Sequence, residues 1–168
     1  DSVQRITTHA LLLGVFLGLA LLAIGLQTIE PVFRALGADE RTLPLITDYM
    51  RPYYLGSVLF IMPMIGNFSL RAAGNARTPA IILSISAIVN IVLDPLLIFG
   101  LWGFPRMELQ GAAIATVIAS AVTAVSSLTI LYRRERLIRG RYISFDNLLH
   151  SWRRVLHVGM PAIGSNLL

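Results

Sequence analysis

The chain of 168 residues contains no cysteine and no lysine, and only 14% of its residues are charged. The absence of cysteine excludes disulfide bonds and thiolate metal sites. Few charges, together with 55% hydrophobic residues and a mean hydropathy of +0.71, are not typical of a soluble domain of this length. The composition therefore favours a membrane protein.

Sequence motifs of hydrolytic enzymes are also missing. The chain contains no His-Glu-x-x-His, no Gly-x-Ser-x-Gly and no Gly-x-Gly-Asp. Its three histidines, His9, His150 and His157, are predicted to lie in loops or in an interfacial segment, in solvated positions. We therefore expect a protein that is not an enzyme and that needs no cofactor.

Four apolar segments are long enough to cross a bilayer, which takes about 20 helical residues. They cover residues 10–29, 53–70, 79–102 and 109–132, and Asp94 is the only acid or arginine within them. The predicted fold class is all-α, a polytopic bundle of transmembrane helices.

The arginines are distributed unequally between the two ends of these segments. One side carries four of the fourteen basic residues, namely Arg34, Arg41, Arg51 and Arg106, and the other side carries the remaining ten. Because cytoplasmic loops are enriched in basic residues, the side with ten is predicted to be cytoplasmic. The basic segment after the fourth span is then a topology anchor or a contact for anionic lipid, and we expect no nucleic acid partner.

The end of the sequence has its own pattern. Residues 133–158 are predicted to form a basic cytoplasmic loop followed by an amphipathic helix in the membrane interface. Residues 159–168 resemble the truncated start of another transmembrane helix. The sequence also begins at Asp1 without a methionine, so we expect a fragment of a longer membrane protein.

Small residues follow helical spacing in two of the spans, and such residues allow close helix packing in membranes. The first span contains Gly14 and Gly18. The fourth contains two stripes with a spacing of four, the first being Gly111, Ala115, Ala119, Thr123 and Ser127, and the second Ala112, Thr116, Ser120 and Ala124. Together they predict a tightly packed bundle.

The third span contains the polar side chains that are candidates for a functional site. Ser86, Asn90 and Asp94 share one helix face because they are spaced by four, and Pro95 frees a backbone carbonyl beside them. Acids within a membrane usually face the protein interior and serve ion or proton pathways. A proton or a hard cation such as Na⁺ would neutralise Asp94. The alternative is an aspartate that only makes hydrogen bonds to a neighbouring helix.

Three stretches resemble the multidrug and toxic compound extrusion (MATE) transporters, most closely the branch of DNA-damage-inducible protein F. They are residues 70–79 (LRAAGNARTP), 90–100 (NIVLDPLLIFG) and 110–118 (QGAAIATVI). The resemblance implies helices three to six, and the start of the seventh, of a twelve-helix protein with two lobes. It also implies export of amphiphilic, often cationic compounds by alternating access, coupled to H⁺ or Na⁺.

The resemblance assigns roles to individual residues. Asn90 and Asp94 match the cation-coupling pair of the amino-terminal lobe, and Thr116 matches its hydroxyl partner. Asn67 matches a polar cavity residue, Tyr49 and Tyr53 compete for one tyrosine of the same network, and Met64 is a candidate for the cavity lining. The family's further acidic residue, on its first helix, is not in this sequence.

The implied setting is the inner (plasma) membrane, with a small-molecule substrate, the lipid bilayer and the remaining helices of the transporter as partners. Two alternatives stay open. A flippase for lipid-linked oligosaccharides, from the same superfamily, should carry cationic residues in its cavity, whereas the four spans contain no arginine. A structural membrane subunit that transports nothing would leave Asp94 unexplained.

Overall fold

The computed structural model describes residues 2–135 and residue 152. In this part of the chain there are five α-helices and no strand, which confirms the predicted fold class. The helices are α1 (Ser2–Ala35), α2 (Thr42–Leu55), α3 (Ser57–Ala72), α4 (Arg77–Phe99) and α5 (Glu108–Arg133), and a short 3-10 turn covers Leu101–Gly103. Helix α5 packs against α2, α3 and α4, and α1 packs against α2 and α3.

Helices α1, α4 and α5 are each long and apolar enough to cross a membrane, and the bent pair α2–α3 makes a fourth candidate span. The predicted segment 10–29 lies inside α1, and 109–132 lies inside α5. Large apolar side chains are exposed on the outer faces, including Ile24, Ile91 and Val125, which are 62%, 69% and 64% exposed. A surface of this kind suits lipid rather than water.

The second predicted segment, 53–70, differs from the structure. A helix begins earlier, at Thr42, and α2 meets α3 at Gly56 with a bend of 48°. Pro52 lies inside α2 one turn before the bend, and its ring prevents a regular hydrogen bond within the helix. Helix α5 also lies close to Gly56, since a Cβ atom added to this glycine would lie 2.8 Å from the side chain of Val117. Pro52 and Gly56 therefore account for the bend, which a hydropathy profile does not detect.

The third predicted segment, 79–102, ends three residues too late. Helix α4 ends at Phe99, and Gly100 follows with a φ of 70°, a left-handed conformation that glycine adopts without strain. The amide of Gly100 still bonds to the carbonyl of Leu96, which closes the helix. Trp102, predicted to be the last residue of the span, is 90% exposed.

The first predicted stripe of small residues on α5 and the predicted glycines of α1 lie at close helix contacts. All five members of the first stripe on α5 are buried. A Cβ atom on Gly111 would lie 2.6 Å from the carbonyl oxygen of Leu97, so α4 and α5 touch through their backbones at this point. On α1, a Cβ atom on Gly18 would lie 2.9 Å from the Cα atom of Val58, which brings α1 equally close to α3.

A hydrogen bond reinforces the contact between α1 and α3. Ser57 is buried, and its Oγ atom donates to the carbonyl oxygen of Gly18 at 2.7 Å. We expect Ser57→Ala to lower the free energy of unfolding by about 1 kcal/mol, because the hydrogen bond is lost without a solvent replacement. Denaturant titration of the full-length protein in micelles would measure this. Ser84→Ala is the control, since Ser84 is exposed and bonds within its own helix.

At the end of the bundle that is predicted to be cytoplasmic, a hydrogen bond and a small core join the ends of α3, α4 and α5. Asn75, in the turn between α3 and α4, donates from Nδ2 to Oε1 of Glu135 at 3.1 Å. Leu70, Ile82 and Leu131 pack together beneath this bond. The ends of three helices therefore meet at this position.

At the opposite end, Asp39 organises the start of α2. Its Oδ1 atom accepts hydrogen bonds from the amide and the hydroxyl of Thr42, at 2.8 and 2.7 Å, and from the amide of Arg41 at 3.2 Å. The hydrogen bonds from Thr42 lower the pKa of the Asp39 carboxyl. The charged form is therefore the one that caps the helix.

Some predictions fall outside the described residues. The interfacial helix, the basic loop beyond residue 135 and the truncated span 159–168 are in this group, except for Trp152, whose indole Nε1 donates to the carbonyl oxygen of His9 at 3.0 Å. The prediction for His9 was wrong, because this residue lies within α1 and is fully buried. Its neighbours Thr7, Thr8 and Leu11 are buried as well, and residue type alone does not report such packing.

Candidate functional site

The centre of the candidate site is a contact between α4 and α5. Asn90 of α4 donates from Nδ2 to Oγ1 of Thr116 on α5 at 3.4 Å. The Thr116 hydroxyl in turn donates to the carbonyl oxygen of Ala112, one turn earlier, at 3.0 Å. One turn before Asn90, Ser86 donates to the carbonyl oxygen of Ala119 at 2.8 Å. Two members of the predicted polar face therefore bond to α5, and Asn90 and Thr116 are brought together.

Asp94 lies one turn beyond Asn90 on the same face of α4. Its side chain is half-buried, its Oδ1 atom is buried, and within the described residues this oxygen accepts no hydrogen bond. Pro95 follows inside the helix. Because an unsatisfied buried carboxylate oxygen is costly, the site needs a proton, a cation or a hydrogen-bond donor.

Tyr49 and Tyr53, which compete for one tyrosine of the predicted network, lie side by side on α2. Their hydroxyl oxygens are 3.2 Å apart. Phe60 extends the pair, since its ring stacks on Tyr53 with centroids 5.4 Å apart and an interplanar angle of 12°. Sequence reasoning missed Phe60, because the bend at Gly56 places it beside Tyr53.

Asn67 and Met64 lie in a different place from this pair. Both line a crevice of about 170 Å³ between α3 and α4, together with Phe68, Arg71 and Leu83. Asn67 is 8% exposed, and within the described residues its Oδ1 atom accepts no hydrogen bond. Leu83 precedes Asn90 by seven residues, or about 10 Å along the helix. The two predicted cavity residues therefore line a second crevice, which neighbours the Asn90–Thr116 contact. The side chain of Met64 is 62% exposed there.

The chemistry of these donors is that of hard oxygen ligands. Asp94, Asn90 and Thr116 offer a carboxylate, an amide oxygen and a hydroxyl, which suit Na⁺ rather than a transition metal. Among the described residues no group of three or more histidines or acids could hold a metal ion.

Comparison with known proteins places the chain in a family. The model of the MatE family matches residues 1–96. A FAD transporter of Shewanella oneidensis is 43% identical over 159 residues, which are 95% of this chain and 35% of that protein. The probable multidrug resistance protein YoeA of Bacillus subtilis is 27% identical over 167 residues, 96% of this chain and 36% of that protein.

Solved structures agree with this placement. The crystal structure of a MATE protein in the bent conformation superposes with a TM-score of 0.84 at 28% identity, over 98% of this chain and 36% of that one. The chain thus spans about a third of the length of the curated relatives it matches. With its apolar helices, the chain belongs to the MATE family of multi-pass membrane transporters.

Proposed function

We propose that the full-length protein is an antiporter of the plasma membrane that exports small amphiphilic, often cationic molecules by alternating access, driven by H⁺ or Na⁺. The coupling ion binds at Asp94, Asn90 and Thr116, and Tyr49, Tyr53, Asn67 and Met64 line the adjoining cavities. The observation that carries this proposal is the buried Oδ1 atom of Asp94 without a hydrogen bond, one turn from the Asn90–Thr116 pair.

The proposed mechanism follows from that oxygen. When a proton or Na⁺ neutralises Asp94, the cost of burying the charge disappears, and the conformation that encloses the site becomes more stable. When the ion leaves, the charged carboxylate favours a conformation that exposes it to water or to a cationic substrate. Ion and substrate therefore favour different conformations, which is the requirement for exchange.

The test uses the full-length protein in proteoliposomes under a pH gradient, a Na⁺ gradient or no gradient. We expect export of a cationic dye such as ethidium to be several-fold faster under one of the two gradients. The same vesicles with the gradient collapsed by an ionophore provide the control. Equal rates with and without gradients would contradict ion coupling.

A second proposal is that the transported substrate is FAD. Its support is the 43% identity to the FAD transporter, compared with 27% to the multidrug resistance protein. FAD carries a pyrophosphate, and the four predicted spans contain no arginine. On this proposal the cationic partners of the pyrophosphate lie in the rest of the protein. Parallel assays with FAD and ethidium separate the two, because each proposal expects the other compound to move at the background rate.

The hydroxyl of Thr116 offers a narrower prediction. Thr116→Val keeps the side-chain volume but removes the oxygen that accepts from Asn90. We expect the apparent affinity for the coupling ion to fall about tenfold, equivalent to about 1.4 kcal/mol. The measurement is the ion concentration that gives half-maximal export.

A matched control exists on the same helix. Thr123 is buried and donates to the carbonyl oxygen of Ala119 at 3.0 Å, the same local bond that Thr116 makes to Ala112. Thr123→Val therefore removes an equivalent hydroxyl away from Asn90. Equal losses of ion affinity in both variants would show that Thr116 acts only through helix structure.

A further inference from the structure

Four exposed arginines gather where the ends of α3, α4 and α5 meet. Arg71, Arg77, Arg133 and Arg134 form this group, which we call the basic rim. Each lies within two residues of the Asn75–Glu135 hydrogen bond or of the core beneath it. The rim is therefore a single patch, contributed by the turn between α3 and α4 and by the end of α5.

The basic rim has no acidic partner within the described part of the chain. Glu135 is the acid beside it, and its Oε1 atom accepts from Asn75. At the opposite end of the bundle two of the four arginines are paired, Arg34 with Glu30 at 2.7 Å and Arg106 with Glu108 at 3.1 Å. The four arginines of the rim thus form no ion pair with a described carboxylate, and they outnumber the one acid beside them.

Two aromatic side chains indicate the depth of the rim in the membrane. Tyr132, directly before Arg133, is 64% exposed, and Phe68 is 57% exposed with the guanidinium of Arg71 at 6.0 Å from its ring centroid. Exposed aromatic rings beside arginines are typical of the level of the lipid headgroups. At that level the charges that the rim can meet are lipid phosphates.

We propose that the basic rim binds the headgroup of an anionic phospholipid of the cytoplasmic leaflet, with one arm on Arg71 and Arg77 and the other on Arg133 and Arg134. Guanidinium groups bind phosphate oxygens in pairs, so one headgroup can bridge the two arms. The bridge spans the same helix ends that Asn75 and Glu135 join, and bound lipid therefore stabilises this end of the bundle. The proposal is independent of the transported substrate.

The experiment measures thermal unfolding of the full-length protein in micelles with added phosphatidylglycerol or phosphatidylcholine, and counts bound lipids by native mass spectrometry. We expect phosphatidylglycerol alone to raise the Tm, and the increase to shrink as salt is added, because exposed charges are screened. In Arg77→Gln/Arg134→Gln we expect the affinity for phosphatidylglycerol to fall by about tenfold or more.

Two further variants keep the test decisive. Arg41→Gln/Arg51→Gln removes two arginines from the opposite end and should bind phosphatidylglycerol like the wild type. Arg77→Lys/Arg134→Lys keeps the charges that set topology and should retain most of the Tm increase. Equal binding of both lipids by the wild type, an increase in Tm that is insensitive to salt, or equal losses in the two Gln variants would overturn the proposal.

Discussion

Replacing Asp94 by asparagine should reduce gradient-driven export by the full-length protein at least tenfold, to near the background rate. Asparagine has nearly the same shape as aspartate, but it can neither release a proton nor offer a negative charge to Na⁺. The buried Oδ1 atom of Asp94 has no hydrogen-bond donor among the described residues, and under the proposed function the substitution removes the ion that would bind there. Proteoliposomes under separate H⁺ and Na⁺ gradients provide the measurement.

The control for this substitution is Asp48→Asn. Asp48 is exposed and lies on the wall of a crevice between α1 and α2, with Glu30 and Glu40, where solvent reaches its charge. This variant should export at the wild-type rate. The elution volume in gel filtration and the circular dichroism spectrum of Asp94→Asn should match those of the wild type, which shows that the variant is folded. Export at the wild-type rate by Asp94→Asn under both gradients would end the coupling hypothesis.

The second large effect is expected from Gly111→Val. A Cβ atom at this position would lie 2.6 and 2.7 Å from the carbonyl oxygen and carbon of Leu97. Both are backbone atoms, so no side-chain rotation relieves the contact, and α4 and α5 must move apart. Overpacking of this kind costs about 1–3 kcal/mol. We therefore expect the Tm of the full-length protein to fall by several degrees.

The same substitution should also weaken the response to the coupling ion. The Asn90–Thr116 bond crosses the same helix contact and is already long, at 3.4 Å. Ala87→Val is the control, because Ala87 is exposed on α4 and its extra methyl groups meet no neighbouring helix. If Gly111→Val has the same Tm as this control and reaches half-maximal export at the same ion concentration, the close backbone contact does not determine the geometry of the site.

Part of the candidate site could be predicted because its signals are local. Asp94 is the only charged residue in the four apolar segments, and its spacing from Asn90 and Ser86 places the three on one helix face. The small residues of α5 likewise indicated a packed face, and Gly111, Ala115 and Ala119 are all buried. Hydropathy and helical period depend only on neighbours in the chain, so the sequence contains them directly.

The rest depended on how the helices rotate and approach each other. The family resemblance paired Thr116 with Asn90, 26 residues earlier, but the contact itself forms only through the fold, which also places Phe60 against Tyr53 across the bend at Gly56. It also places Asn67 in the crevice between α3 and α4.

The sequence alone thus determined a membrane-embedded helical protein, the family resemblance and the position of its intramembrane carboxylate. Tertiary structure decided that Asn90 and Ser86 bond to α5 beside that carboxylate, where α4 ends and how the helix ends form the basic rim. The physical reason is that contacts between helices are set by depth, rotation and backbone approach at residues such as Gly111 and Gly56. These quantities result from many weak packing interactions acting together, and no single stretch of sequence contains them.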